Sequence, residues 1–235
     1  MNLQESFELH NELNPKLFKN EKLKPDIRQR ILDIVDEFIN TLWIKIDVLD
    51  IQLLGSNASY NYTDYSDLDI HIVTNFELLD ASQEIVNALF SLEKTNFNRN
   101  YDIFIKQIPV ELYIEDVNSG AVSNGIYSVK DDKWVKFPQK ISEIPEYDIS
   151  IPLNKWKNTI QKALHTGNKE ELKNIVNTLY MIRKNSIAID GEYGKGNQLF
   201  KELRNLGFVE LVKEQIKKLT SKELSLEGME ENYYF

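Results

Sequence analysis

Asp67 and Asp69 are separated by a single residue in the segment DLDIHIV, in which apolar and polar side chains alternate. Alternation with a period of two is typical of a half-buried β-strand. It directs both carboxylates to the same face, with about 7 Å between their Cα atoms. Two like charges this close repel each other in a low-dielectric site unless one is protonated or a cation lies between them. The pair therefore predicts a cation site.

Magnesium is the cation that suits such a pair. It takes a few carboxylate oxygens and completes its octahedral shell with waters and phosphate oxygens. A third carboxylate on a neighbouring strand would allow a second ion to bind about 3.5–4 Å from the first. We therefore expect two Mg²⁺ ions, for which Mn²⁺ can substitute, and a phosphate-bearing substrate.

The dipeptide Gly55-Ser56 ends the preceding apolar run, DIQLL. A glycine lets the backbone approach a phosphate oxygen closely, and a serine hydroxyl with nearby amides can donate hydrogen bonds to it. A phosphate would thus be held by this turn on one side and by metal on the other. In-line attack of a hydroxyl on the α-phosphorus, with pyrophosphate leaving, needs little beyond such positioning and charge stabilisation.

Strands and helices that could position these residues follow from the hydrophobic pattern. DIQLLGS and DLDIHIV predict two strands joined by a polar loop. The segment YDIFIKQIPVELYIED predicts two more, separated near Gln107 to Pro109, with Glu111 and Tyr113 on one face of the second. GIYSVKDDKWVKF predicts a hairpin that turns at Asp131 and Asp132.

Two helices are predicted in the same part of the chain. The first opens at Pro25, and its apolar residues recur at helical spacing: Ile27, Ile31, Ile34, Val35, Phe38 and Leu42. The second starts at Asp80, with Gln83 three residues on, and extends to about Lys94. Its predicted apolar face consists of Ile85, Leu89 and Leu92.

From Pro152 onward the pattern becomes helical, with helices expected at 153–165, 168–189, 197–206 and 208–219. Charge changes at the same point. Residues 1–151 carry 14 Lys and Arg against 26 Asp and Glu, whereas residues 152–224 carry 14 against 8. We expect a catalytic core with an N-terminal arm at 1–151, a helical region at 152–224 and a flexible tail at 225–235.

Composition narrows the function classes. The 235 residues include no cysteine, which excludes disulfides, thiolate metal sites and cysteine nucleophiles and favours a cytoplasmic location. We expect no membrane association, because the sequence shows neither a signal peptide nor an apolar run of about 18 residues. The net charge of −9 argues against bulk DNA binding.

These residues together resemble nucleotidyltransferases of the DNA polymerase beta superfamily. The marks of that family are a GS turn ending one strand, an Asp-hydrophobic-Asp pair on the next and a third acid on a later strand. Here they are Gly55-Ser56, Asp67-Leu68-Asp69 and Glu111 in VELY. The resemblance covers residues 26–138. The chain as a whole is similar to nucleotidyltransferase-domain proteins of bacteriophages and bacteria. If the protein is viral, we expect it to act in the host cytoplasm.

The resemblance implies an α+β nucleotidyltransferase fold, with a small mixed, twisted sheet flanked by helices and a helical C-terminal region. It implies that Gly55 and Ser56 hold the β and γ phosphates and that Asp67 and Asp69 bind both metals. Glu111 would bind the catalytic metal and help to activate the acceptor hydroxyl. If its strand is misplaced, the substitutes are Asp102, Glu115 and Asp116.

The implied reaction moves a nucleoside monophosphate, AMP if ATP is the donor, to a hydroxyl acceptor with release of pyrophosphate. The acceptor stays open among a protein side chain, an RNA 3′ end, a small molecule and another nucleotide. Further expected nucleotide-binding residues are Ser66, at the end of the loop, and the cations Arg183 and Lys184, with Lys201 and Arg204 as later candidates. The alternative for these four cations is that they lie on solvated helix faces.

Some residues near the motif have two interpretations. His71 either orients a carboxylate or belongs to the sheet interior. The tyrosines of the loop either stack on a base or cap the loop: Tyr60, Tyr62 and Tyr65. Asp64 is interpreted as a turn residue rather than a ligand.

Two other functions stay open at this level. One is an enzyme of the same fold that makes a cyclic or oligomeric nucleotide signal. The other is a non-catalytic binding module, antitoxin-like or virion-associated, although such a module has no reason to retain three repelling acids.

Overall fold

The computed structural model describes residues 9–79, 81–120, 123–140, 143, 145 and 147–226. The chain divides into two compact units between residues 142 and 143. The first unit contains the sheet, and the second consists of helices. Within the described residues the protein is therefore α+β, with six α-helices and a mixed sheet.

The first unit is built on a six-stranded sheet. Its strands are β3 (Asp50–Leu54), β4 (Leu68–Thr74), β5 (Phe104–Ile105), β6 (Ile108–Asp116), β7 (Ile126–Ser128) and β8 (Lys133–Lys136). Their order in the sheet is β5-β6-β4-β3-β7-β8. Strands β4 and β6 are parallel, and the other neighbouring pairs are antiparallel. A separate small hairpin pairs β1 (Phe18–Lys19) with β2 (Lys22–Leu23).

The alternation in β4 separates its two faces as the sequence predicts. Leu68, Ile70 and Ile72 are fully buried, whereas Asp69 and His71 between them are only half-buried. The same pattern holds in β6, where Val110 and Leu112 belong to the core and Glu111 and Tyr113 lie on the other face. One face of the sheet thus closes the core, and the other presents polar groups.

Helix α1 (Pro25–Thr41) covers part of the buried side of this unit. Proline at its first turn is favoured because its missing N–H would have no helical partner there. The predicted apolar stripe is buried, apart from Leu42, which lies just past the helix end. This prediction is confirmed.

Helix α2 (Gln83–Asn100) differs from its prediction in both length and face. It extends to Asn100, and Ser82 caps its start by accepting a hydrogen bond from the Ile85 amide. Asp80, the predicted start, lies outside the described residues. The buried side chains are Val86, Phe90 and Phe97, and the predicted Ile85 and Leu92 are each 62% exposed.

The reason is that two sets of residues in α2 have helical spacing. The set with aromatic rings gains more from burial, because Phe90 packs on Phe76 and Phe97 packs on Phe38, with ring centroids 5.1 and 4.9 Å apart. Hydrophobic spacing alone did not distinguish this set from the aliphatic one.

The two strands predicted on either side of Gln107 to Pro109 also exist, with a displaced boundary. The turn is Lys106–Gln107, both with positive φ, and Pro109 already belongs to β6. A proline is tolerated there because, among the described residues, this end of the strand pairs only with the two-residue β5. The predicted hairpin at Asp131 and Asp132 is confirmed as the β7–β8 connection.

The second unit contains four helices around its own apolar core. They are α3 (Ser150–Thr166), α4 (Lys169–Asp190), α5 (Lys195–Asn205) and α6 (Phe208–Leu224). Gly167 and Gly207, both in the left-handed conformation, separate α3 from α4 and α5 from α6. The four predicted helices are present, and the last is longer than expected since no glycine or proline interrupts residues 208–224. Most of the predicted tail lies outside the described residues.

Among the described residues, no helix is both long enough and apolar enough to cross a bilayer.

Phe90 and Leu92 provide a direct test of which face of α2 is buried. Phe90→Ala should lower the free energy of unfolding by about 3–5 kcal/mol, because it leaves a cavity in the core. Leu92→Ala should change it by no more than about 0.5 kcal/mol. Urea unfolding of both variants measures the difference, and equal losses would contradict the assigned face.

Candidate metal centre

The centre is defined by three carboxylates that the sheet brings together. Asp67 lies directly before β4, Asp69 is its second residue, and Glu111 lies opposite Asp69 on the parallel strand β6. One carboxylate oxygen from each residue lies within 4.8 Å of the others, and all three residues are half-buried. Adjacent parallel strands therefore gather the three acids that the sequence singled out.

The alternative third acids have other positions in the fold. Glu115 hydrogen-bonds to His71. Asp116 is buried and accepts hydrogen bonds from the Phe76 amide and the Gln83 side chain. Asp102 is exposed, just before β5. Within the described part of the chain, Glu111 is thus the residue that joins the aspartate pair.

The Gly55 turn lies directly against Asp69. Gly55 has φ of 73° and ψ of −161°, a conformation that side chains disfavour. A Cβ atom on this residue would lie 2.1 Å from Oδ2 of Asp69. Only glycine therefore lets the turn and the carboxylate come this close.

The two serines predicted to bind nucleotide are in contact. Oγ of Ser56 donates to Oγ of Ser66 at 2.7 Å, and the Thr63 amide donates to the same Ser66 oxygen at 2.9 Å. Ser56 opens a short 3₁₀ helix, Ser56–Ala58, that follows the Gly55 turn. The structure thus places Gly55, Ser56 and Ser66 together beside the acids.

Two buried asparagines hold the start of β4, and the sequence analysis missed both. Nδ2 of Asn57 donates to the Asp67 carbonyl at 2.8 Å, and Nδ2 of Asn14 donates to Oδ1 of Asn57 at 2.7 Å. Asn57 is fully buried, so its hydrogen bonds fix the backbone at Asp67. The available signal was an amide directly after the GS dipeptide.

Tyr113 is a second group that sequence analysis did not assign to the centre. Its hydroxyl donates to Oε2 of Glu111 at 2.5 Å. Burial raises the pKa of Tyr113, and the hydrogen bond to Glu111 raises it further. The phenol therefore stays protonated and orients the carboxylate. The signal was its position two residues after Glu111 on the same strand face.

Lys94 is a third such group. Its Nζ lies 3.4 Å from the centroid of the Tyr113 ring. Burial lowers the pKa of Lys94, and the charges of Glu111, Asp69 and Asp67 oppose that shift. A cation from α2 thus lies within electrostatic reach of all three acids.

His71 contacts a carboxylate outside the triad. Its Nδ1 lies 2.7 Å from Oε2 of Glu115, and its ring stacks on Tyr113 with centroids 4.7 Å apart. Ser119 donates to the other oxygen of Glu115 at 2.7 Å. The carboxylate that His71 orients is therefore that of Glu115.

The loop tyrosines separate into two groups. Tyr60 is buried, and Tyr62 stacks on His10 with centroids 3.8 Å apart. Both cap the loop. Tyr65 is 48% exposed, and its stacking on a base stays a prediction. Asp64, interpreted as a turn residue, has a side chain that is 95% exposed and lies 3.8 Å from Lys16.

Arg183 and Lys184 lie on α4 of the helical unit. The guanidinium of Arg183 lies 5.0 Å from the centroid of the Phe200 ring, and Lys184 is exposed. Lys201 of the same unit pairs with Glu192 at 3.2 Å. Their predicted contact with a triphosphate stays a prediction.

The donor set fits a hard divalent cation. All three converging groups are carboxylates, and within the described residues no histidine or cysteine joins them. Oxygen-only sets suit Mg²⁺, Mn²⁺ and Ca²⁺ rather than zinc or copper. The geometry defines a candidate metal site, and the three carboxylates favour a hard divalent cation without selecting one ion.

Comparison of the chain with protein-family models, with curated proteins and with solved structures finds no match. The function is therefore inferred from the geometry of the centre itself.

Gly55→Ala tests the contact between the turn and Asp69. We expect affinity for Mn²⁺ to fall about 10- to 100-fold, because the new methyl group displaces a ligand carboxylate. Gly120→Ala is the matched control. Gly120 also has positive φ, at 64°, but a Cβ there meets no atom within 4 Å.

Gly120→Ala should lose about 1 kcal/mol of stability, because alanine disfavours positive φ, and should keep its affinity for Mn²⁺. Calorimetric Mn²⁺ titration of both variants separates the two effects. Unchanged binding by Gly55→Ala would contradict the close approach.

Tyr113→Phe tests the hydrogen bond to Glu111 through pH. The pKa of Tyr113 in the folded protein is raised above its ordinary value of 10.0. The contribution of the Tyr113 hydroxyl to stability is thus fully present below about pH 10 and is lost as pH rises through the pKa of Tyr113 in the folded protein. The stability gap between wild type and variant should stay constant up to about pH 10 and narrow above it. Urea midpoints across this range measure the gap, and narrowing already by about pH 9 would contradict the assignment.

Proposed function

We propose that this chain is a magnesium-dependent nucleotidyltransferase with the fold of the DNA polymerase beta superfamily. It would transfer a nucleoside monophosphate, AMP when ATP is the donor, to a hydroxyl acceptor. One observation carries the proposal. Three carboxylates from two adjacent parallel strands converge within 4.8 Å, and a glycine-serine turn lies against one of them.

The protein's own residues would divide the work between metal and phosphate. Asp67, Asp69 and Glu111 would hold the divalent cations, which when bound neutralise phosphate charge and favour ionisation of the attacking hydroxyl. The backbone at Gly55 and the hydroxyl of Ser56 would donate to phosphate oxygens. Without phosphate that hydroxyl donates to Oγ of Ser66 at 2.7 Å, so it would turn from Ser66 to the phosphate oxygen on binding.

Glu111 would have two tasks. Tyr113 occupies its Oε2 and fixes the plane of the carboxylate. Glu111 would then hold metal and accept the proton of the acceptor hydroxyl as that oxygen forms its bond to the α-phosphorus. The bond between the α-phosphorus and the bridging oxygen breaks at the same time, and pyrophosphate leaves with the electron pair.

The nature of the acceptor is constrained by charge. Residues 1–151 carry 26 acids against 14 bases, which disfavours a long nucleic acid near the metal centre. A protein side chain, an RNA 3′ end and a small molecule stay as candidate acceptors.

Asp67→Asn combined with Asp69→Asn tests the reaction. The assay incubates the protein with each of four α-labelled nucleoside triphosphates, Mg²⁺ and a cell lysate that supplies acceptors. Transfer of label to a defined product should fall at least about a hundredfold in the variant, because the metal ligands are lost. Asp64→Asn is the matched control, since this side chain from the same loop is 95% exposed, and it should keep full activity.

The product distinguishes the alternatives. Label in a protein or RNA band supports the proposal and identifies the acceptor class. A small labelled product from ATP alone would favour a cyclic or oligonucleotide synthase instead. No transfer and no binding of ATP with Mg²⁺ by wild type would favour a non-catalytic binding module and overturn the proposal.

A further inference from the structure

Lys94 occupies an unusual position on α2. The buried side chains of this helix are Val86, Phe90 and Phe97. Lys94 lies four residues after Phe90 and three before Phe97, so it falls on the same stripe. An apolar residue would continue the stripe, but the chain has a lysine there, and its side chain is half-buried.

The ammonium of Lys94 is directed towards the acidic centre through Tyr113. Its Nζ lies 3.4 Å from the Tyr113 ring centroid, and the Tyr113 hydroxyl donates to Glu111 at 2.5 Å. The ring contact is a favourable cation–π geometry. Lys94, Tyr113 and Glu111 therefore form one connected set, and Asp67 and Asp69 also act on Lys94 electrostatically.

The charges explain why a lysine is useful there. Three carboxylates within 4.8 Å carry up to three negative charges in a half-buried site, and their repulsion destabilises the folded protein when no metal is bound. A tethered ammonium offsets part of that repulsion. The same positive charge opposes a divalent cation that enters the cluster, because like charges repel.

We infer that Lys94 is a built-in counter-ion of the Asp67, Asp69 and Glu111 cluster, which stabilises the metal-free fold and weakens the affinity of the site for divalent cations. This inference rests on the proposed function only in that the cluster binds such a cation. It makes Lys94 a positioning residue, since it acts on the metal through the charge of the acids rather than by contact with substrate.

The test compares Lys94→Met with Lys94→Arg. Methionine keeps an unbranched stem that can cover the Tyr113 ring, but it removes the charge, whereas arginine keeps both the charge and the ring contact. Mn²⁺ affinity is measured by calorimetric titration at fixed ionic strength. Lys94→Met should bind Mn²⁺ about tenfold more tightly than wild type, and Lys94→Arg should match wild type.

Thermal unfolding supplies a second readout, the rise in unfolding temperature on adding Mn²⁺, which a loss of packing alone would not change. In EDTA, Lys94→Met should unfold at a lower temperature than wild type, because the repulsion is no longer offset. Saturating Mn²⁺ should then raise its unfolding temperature by more than it raises that of wild type, since tighter binding stabilises the folded state more. A lysine that served only to pack would shift both conditions equally.

Lys130→Met is the matched control. It removes the same charge from the same unit, but Lys130 donates to the carbonyls of Val48 and Leu49, just before β3 begins. The acids lie beside the other end of β3, where Leu54 pairs with Asp69. This variant should leave Mn²⁺ affinity and the gain from Mn²⁺ unchanged.

The outcomes separate this inference from the proposed function. Equal Mn²⁺ affinity in wild type and Lys94→Met, or an arginine variant that behaves like the methionine variant, would overturn the role of Lys94 while leaving the metal site intact. Failure of wild type to bind Mn²⁺ at all would overturn both.

Discussion

Repulsion among three carboxylates is the constraint on which the rest of the centre depends. Parallel pairing of β4 with β6 sets Asp69 opposite Glu111, and Asp67 adds a third negative charge from the residue before β4. A fold does not keep such a cluster half-buried without compensation. The surrounding groups offset the repulsion among the carboxylates and fix their positions.

Compensation comes from groups of different kinds. Tyr113 donates to Glu111, and Lys94 lies over the Tyr113 ring. Asn57 fixes the Asp67 backbone from within the core. His71 binds the separate carboxylate of Glu115, so the polar face of the sheet continues as a hydrogen-bonded layer beyond the triad.

Sequence was informative where one physical rule acted alone. The period-two alternation of β4 and β6 predicted which residues are buried, and it put Asp69 and Glu111 on polar faces. Helical spacing failed in α2, where two sets of residues share it. Only packing against Phe38 and Phe76 decides which set is buried. Lys94 and Asn57 were missed because their roles arise from contacts with other segments of the chain, which no local pattern encodes. Tyr113 lies only two residues from Glu111, but alternation shows that the two share a face and not that the hydroxyl binds the carboxylate.

The parallel pairing of β4 and β6 has an evolutionary consequence. A parallel ladder fixes its register through its own hydrogen bonds, and the segment that joins the strands passes outside the ladder. Insertions or deletions in the loops that flank α2 can therefore accumulate without separating Asp69 from Glu111. Chains that inherit this arrangement of acids need not share its spacing, so descent is better traced by strand pairing than by distance along the sequence.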